Sequence, residues 1–194
     1  MIRDFQIGRA HKAAAVGREQ LFEIGDAPLH IRAAVGIAHA KPVGVLLDHD
    51  RPGENVRAFA REHSLGPDDV IVCLGDTGFD YFGDERDDAV KTRAARAGVT
   101  FLCIRGNRDR NPATLADYRL QPWRGGEAYV DPAYPTLLLA RDGSVFDLEG
   151  RSAIAIGGAY SVDKRHRLAN GHLWFPDEQL TEAEKEHVEQ ALDR

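Results

Sequence analysis

Only two cysteines occur in the 194 residues, far below the number that a disulfide-stapled scaffold carries. Both, Cys73 and Cys103, stand inside apolar runs and are expected to be core thiols. Long apolar runs are missing as well. None approaches the roughly 20 residues that cross a bilayer, and the first twenty residues lack the apolar core of a signal peptide. A soluble, cytoplasmic protein with no membrane partner is expected. No basic stripe is present either: Arg and Lys are interspersed with acids and the formal net charge is -6, which argues against specific nucleic-acid binding. Histidines are scattered, with His11, His30 and His39 each isolated from other ligand types at metal spacing.

What is present is a pattern of strands that end in acids. The length suits one domain with a real core. Val70 to Leu74 and Thr100 to Ile104 are continuous apolar runs, each closed by a glycine and a polar residue, Gly75-Asp76 in the first and Gly106-Asn107 in the second. Such runs read as strands buried on both faces, hence central and parallel. The charged, Ala-rich stretch 84–97 between them suits a crossover helix. Upstream, 42–47 is a further apolar strand that runs into Asp48-His49-Asp50, followed by a turn at Pro52-Gly53 and a helix over 54–63.

Three strand ends thus present Asp48 with Asp50, then Asp76, then Asn107. The carboxyl edge of such a sheet is where ligands bind. Gly-Asp and Gly-Asn also serve as plain turns, but three in series point to a site. Carboxylate and amide oxygens are hard donors for divalent cations. Two such cations share a bridging carboxylate, for which Asp76 is the natural choice.

Elsewhere the pattern is less pointed. Helices are expected over 9–22, over 29–40 and, briefly, over 113–118. Short strands are expected at 127–130, 136–140, 144–148 and 152–156, joined by turns as hairpins. The last leads into Gly157-Gly158-Ala159-Tyr160-Ser161. The tail, 181–192, reads as a helix with Thr181 and Glu184 as a capping box. His63 suits a helix C-terminus, His166 belongs to a basic, solvated segment, and His172 is expected against Trp174 and Phe175. Asp163 and Lys164, after the glycine pair, could orient a substrate, although for Asp163 capping a short helix is the commoner role.

With Asp48, Leu74-Gly75-Asp76, Arg105-Gly106-Asn107-Arg108-Asp109 and 156–163 taken together, the chain resembles the calcineurin-like metallophosphoesterases of the phage and bacterial type over roughly 43–194. The resemblance implies an α/β fold, a β-sandwich flanked by helices, here in an incomplete version, preceded by an N-terminal extension over 1–42. It implies two divalent metal ions (Mn, Fe, Zn or Ni), incompletely bound, and hydrolysis of a phosphate-ester substrate by a metal-bound hydroxide. Asp48 and Asp50 would bind the first metal, Asp76 would bridge, Asn107 would bind the second, and Arg108 and Asp109 would be catalytic. The chain departs from the family pattern in three places. Asp50 stands where the first motif has histidine, Arg108 replaces the histidine that protonates the leaving group, and Gly171-His172 is only half of the late histidine motif, so weak activity is expected. Two other readings remain open. One is a non-catalytic α/β binding module. The other is a haloacid-dehalogenase-like phosphatase with Asp48 as nucleophile, although too little chain separates its motifs.

Overall fold

The computed structural model describes residues 34–37 and 52–193, with side chains from residue 57 onward. Among the described residues the architecture is mixed α/β: a six-stranded mixed sheet, a two-stranded hairpin and four α-helices. The strand expected at 42–47, and with it Asp48 and Asp50, lies outside the described residues, as does the helix expected over 9–22.

The centre of the sheet is the part that the apolar runs dictate. β2 (Val70–Leu74) and β3 (Thr100–Ile104) pair in parallel, Val70 opposite Thr100 and Cys73 opposite Cys103. The connection between them is α2 (Glu85–Ala95), capped at its start by the Asp84 carboxylate, which accepts from Arg86 N. α1 (Pro52–Glu62) precedes β2. β6 (Leu137–Ala140) adds to β3 in parallel, and β5 (Gly126–Val130) and β4 (Arg119–Trp123) continue the sheet in antiparallel fashion. On the other side of β2, β1 (Ala34–Ile37) pairs antiparallel with it and is the last strand among the described residues.

Each face of the sheet carries its own core. On one, Ile71, Cys73, Phe101, Cys103 and Leu139 pack with Ala60 of α1 and Ala94 of α2. On the other, Val70, Leu102, Leu138, Ala128 and Val130 pack with Phe146 from the hairpin of β7 (Val145–Leu148) and β8 (Arg151–Ile154). This alternation along β2 and β3 is why both strands read as unbroken apolar runs. Cys73 and Cys103 are free and buried, out of reach of a substrate, and burial pushes the Cys103 thiol well above its ordinary range.

Three expectations are corrected. Residues 34–37, expected in a helix over 29–40, form a strand; Val35 and Ile37 are β-branched, Gly36 is a poor helix former, and β2 offers an edge to pair with. The helix expected over 113–118 shrinks to one 3-10 turn, Pro112–Thr114, and the chain enters strand β4 at Arg119. β4 is mostly exposed and holds Pro122, as an edge strand can. His172 is exposed and lies near-parallel to His166 at 6.5 Å, while the face of Trp174 is taken by Lys164 Nζ at 3.5 Å. The remaining helices are α3 (Lys164–Ala169) and α4 (Glu182–Leu192), the latter with the expected Thr181–Glu184 capping box. His63 stacks on Phe59 with ring centres 4.3 Å apart.

Behind the strand ends sits a buried ionic cluster. Lys91 of α2 reaches Asp80 at 2.8 Å and Asp131 at 3.5 Å, and Tyr118 Oη donates to Asp80 Oδ2 at 2.5 Å. All four residues are buried. A charge pair out of water is costly to break from one side, because the abandoned partner stays desolvated. Lys91→Met is therefore expected to lower unfolding stability by about 3–5 kcal/mol, read as the shift in a urea unfolding curve. A loss within experimental error would show that the cluster does not hold α2 to the sheet.

Candidate functional site

Two loops, leaving β2 and β3 at the same end of the sheet, build the candidate site. Gly75 and Asp76 both have positive φ, 86° and 52°. The left-handed region suits glycine and costs other residues of order 1 kcal/mol or more, with Asp among the better tolerated. The pair turns the chain sharply off β2, so that the Asp76 side chain lies across the neighbouring loop. Asp76 Oδ1 accepts from Arg108 N at 3.1 Å.

The reciprocal tie is made by Asp109. Its Oδ2 accepts from Asp76 N and from Gly106 N, both at 2.8 Å, so one carboxylate oxygen joins the two loops. Asp109 is buried, and its other oxygen, Oδ1, has no hydrogen bond although shielded from solvent. Burial first, and the Asp76 charge second, raise its pKa to about 6 against the pull of the amide donors. Asp109, expected to be catalytic, is thus placed inward as a brace rather than on the exposed edge.

Backbone contact is close enough to require glycine. A Cβ on Gly106 would lie 2.1 Å from Asp76 Oδ1 and 2.5 Å from Asp76 N, and one on Gly75 would lie 3.1 Å from Gly106 Cα. The glycines closing both strands are there so that two strand ends can touch.

A third segment, the loop after β8, closes over the pair. Asn107 Nδ2 donates to Ser161 Oγ at 2.7 Å, and Arg108 Nη2 meets Asp163 Oδ2 at 3.3 Å. Asp163 stands at the N-cap of α3 without a capping bond from its side chain, so the expected capping role gives way to this ion pair. Arg105 anchors the loop from below: its carbonyl accepts from Gly158 N at 2.7 Å, its guanidinium donates to the Asp177 carbonyl at 2.6 Å, and it pairs with Asp142 at 3.4 Å. Asp142 in turn accepts from Gly157 N at 2.5 Å.

The structure therefore brings together Asp76, Asn107, Arg108 and Asp109. Asp48 and Asp50 lie outside the described residues. Among the described residues, no group of three or more His, Cys, Asp or Glu side chains could hold a metal ion. Asp76 and Asn107 carry oxygen donors of the kind a divalent cation takes. A cavity of about 10 Å³ lined by Thr77, Asp80, Arg105 and Asp109 is too small for a substrate, and a groove of about 160 Å³ beside α4 includes neither Asp76 nor Asn107. The candidate site is an open edge of the sheet. Ser161, Glu178 and Asp142 were missed as contributors: Glu178 and Asp142 stand beside other charged residues, and Ser161 follows Tyr160 in a segment where nothing local signals that its hydroxyl is buried. No protein-family model matches the chain, and neither a curated protein nor a solved structure matches it.

Two predictions follow from the loop contact. Gly106→Ala forces the loops apart and should cost about 1–3 kcal/mol of stability, measured by urea unfolding; a neutral outcome would mean that the loops are not in contact. The second concerns pH. Asp109 titrates at about 6 folded against 3.8 for the ordinary group, so between those values the folded state keeps a proton that the unfolded state has released. Raising pH through that window therefore lowers stability, by up to roughly 3 kcal/mol. The difference between wild type and Asp109→Asn, both in EDTA, should follow this slope from pH 4 to pH 6.5. A constant difference would show that Asp109 is not the buried acid.

Proposed function

We propose that this chain is a metal-dependent phosphoesterase of calcineurin-like type with weak activity on a phosphate ester. One observation supports this above the others: the carboxylate of Asp76 and the Asn107-Arg108-Asp109 turn are tied to each other at the carboxyl end of adjacent parallel strands. Asp76 and Asn107 would hold divalent metal ions (Mn, Fe, Zn or Ni) together with Asp48 and Asp50. Bound there, two such ions would supply the positive charge that activates water and stabilises the phosphoryl transition state.

The chain's own residues divide the remaining work. Asp109 holds the amides of both loops and so sets the backbone position of Asp76. Arg108 offers a guanidinium fork to a non-bridging phosphate oxygen, oriented by Asp163. Because an arginine does not give up a proton near neutral pH, leaving-group protonation falls to solvent, which keeps turnover low.

The test is hydrolysis of bis-p-nitrophenyl phosphate and p-nitrophenyl phosphate with Mn²⁺, Zn²⁺ or Ni²⁺ added, for wild type, Asp76→Asn and Arg108→His. Expected are slow, metal-dependent turnover in the wild type, a loss of at least about 100-fold in Asp76→Asn, and a modest gain in Arg108→His. Turnover that ignores added metal or survives Asp76→Asn would sink the reading. The Arg108–Asp163 pair and the lack of a three-donor cluster among the described residues favour a second reading, a phosphate-binding module without turnover. It would show as phosphate binding weakened by Arg108→Ala with no hydrolysis under any metal.

A further inference from the structure

Asn107 can serve as an oxygen donor only if its carboxamide points the right way, and its two ends differ little in shape. What fixes the choice is a buried chain of hydrogen bonds behind it. Ser161 is 1 % exposed and Glu178 2 %. The Glu178 carboxylate accepts from Ser161 N through Oε1 at 2.9 Å, from Trp174 Nε1 through Oε2 at 2.9 Å, and from the Ser161 hydroxyl, again through Oε2.

The proton count then settles the direction. A serine hydroxyl has one proton and two lone pairs. Its proton goes to Glu178 Oε2, the oxygen that also accepts from Trp174 Nε1, so toward every other neighbour Ser161 Oγ must accept. Arg167, itself 3 % exposed, donates to it from Nη1 at 3.3 Å, and Asn107 donates from Nδ2 at 2.7 Å. Reversing the Asn107 amide would set its carbonyl oxygen against the buried Ser161 Oγ, an oxygen with no proton left to give, and two acceptors facing each other repel. Asn107 Oδ1 is thereby directed away from Ser161.

We propose that Ser161 and Glu178 are positioning residues for the candidate metal site, acting through the Asn107 carboxamide to present its Oδ1 as a donor; the proposal rests on the phosphoesterase reading of this edge. It links the loop after β8 to Asn107 through an oriented side chain rather than through backbone contact alone. Outer groups of this kind orient the ligands that touch a metal, and their loss commonly costs 10- to 100-fold in affinity.

The test is NMR on the full ¹⁵N-labelled chain with Mn²⁺ as the probe. In the wild type the Asn107 side-chain NH₂ protons should show a nuclear Overhauser effect to Ser161 Hβ, and Mn²⁺ should broaden the Asn107 and Asp76 signals. In Ser161→Ala the Asn107 NH₂ protons should exchange with water at least about tenfold faster, and half-broadening should need about tenfold more Mn²⁺. Ser161→Thr, which keeps the hydroxyl, should stay within about twofold of wild type. Wild-type exchange and wild-type Mn²⁺ response in Ser161→Ala would overturn the positioning role. Should that variant fail to fold, the wild-type Overhauser effect decides, its absence overturning the proposal. Absence of Mn²⁺ broadening in the wild type removes the metal reading instead, whatever the orientation of Asn107.

Discussion

One carboxylate oxygen joins the two loops on which the candidate site stands. Asp109 Oδ2 accepts the amide of Asp76 and the amide of Gly106 in its own loop at once, so the chain leaving β2 cannot move away from the chain leaving β3 without freeing the Asp76 amide and, with it, the Arg108 amide that Asp76 Oδ1 accepts. An amide left unmet in a buried place costs about 1–3 kcal/mol, which makes this brace worth more than the two bonds counted singly. The left-handed Asp76 and the close approach of Gly75 to Gly106 depend on it. A backbone held in a sparsely populated conformation persists only where its surroundings over-determine it, and here the surroundings are a buried acid, a bare glycine and a returned bond from Arg108 N to Asp76 Oδ1.

The parts of this arrangement that could be read from the chain are those in which a local pattern and the tertiary environment agree. β2 and β3 run over the residues that their apolar runs mark, because both faces of each strand are covered, one by α1 and α2 and the other by the Phe146 hairpin. α4 starts where Thr181 and Glu184 cap each other, a bond pattern written within four residues. β4 was hidden for the opposite reason. With its side chains mostly in solvent it has no buried face to impose alternation, and only pairing with β5 makes it a strand. β1 likewise owes its form to the free edge of β2.

Side-chain roles were less legible than elements, and the errors have one cause. Gly-Asp and Gly-Asn after buried strands come together at one end of the sheet, as their pattern suggested, but the direction of each side chain is set by residues far away in the chain. Asp109 looked like part of a motif exposed to substrate, yet 33 residues earlier Asp76 offers it an amide, and it turns inward. Asp163 looked like a helix cap, yet Arg108 stands within reach and the ion pair wins over the cap. Glu178, in a polar stretch between Pro176 and Thr181, carries no local sign that it will be buried. A carboxylate there can afford burial only because Ser161 and Trp174 bring three donors to it.

Asp109 and Glu178 are two uses of the same device, and the difference between them divides the labour at this edge. Each is a buried acid whose oxygens collect donors from separate segments. Asp109 collects only backbone amides and therefore fixes where the loops run. Glu178 collects one amide, one indole and one hydroxyl, and by taking the hydroxyl's only proton it fixes which way a second side chain, Asn107, must face. Backbone position and side-chain orientation are thus set by different residues, on different loops, with Arg105 beneath both joining 105–106 to 157–158 and to the Asp177 carbonyl. Rigid donors cost less to order when a ligand arrives, since their rotamers are already chosen. An edge built this way holds Asn107 in one orientation before anything binds.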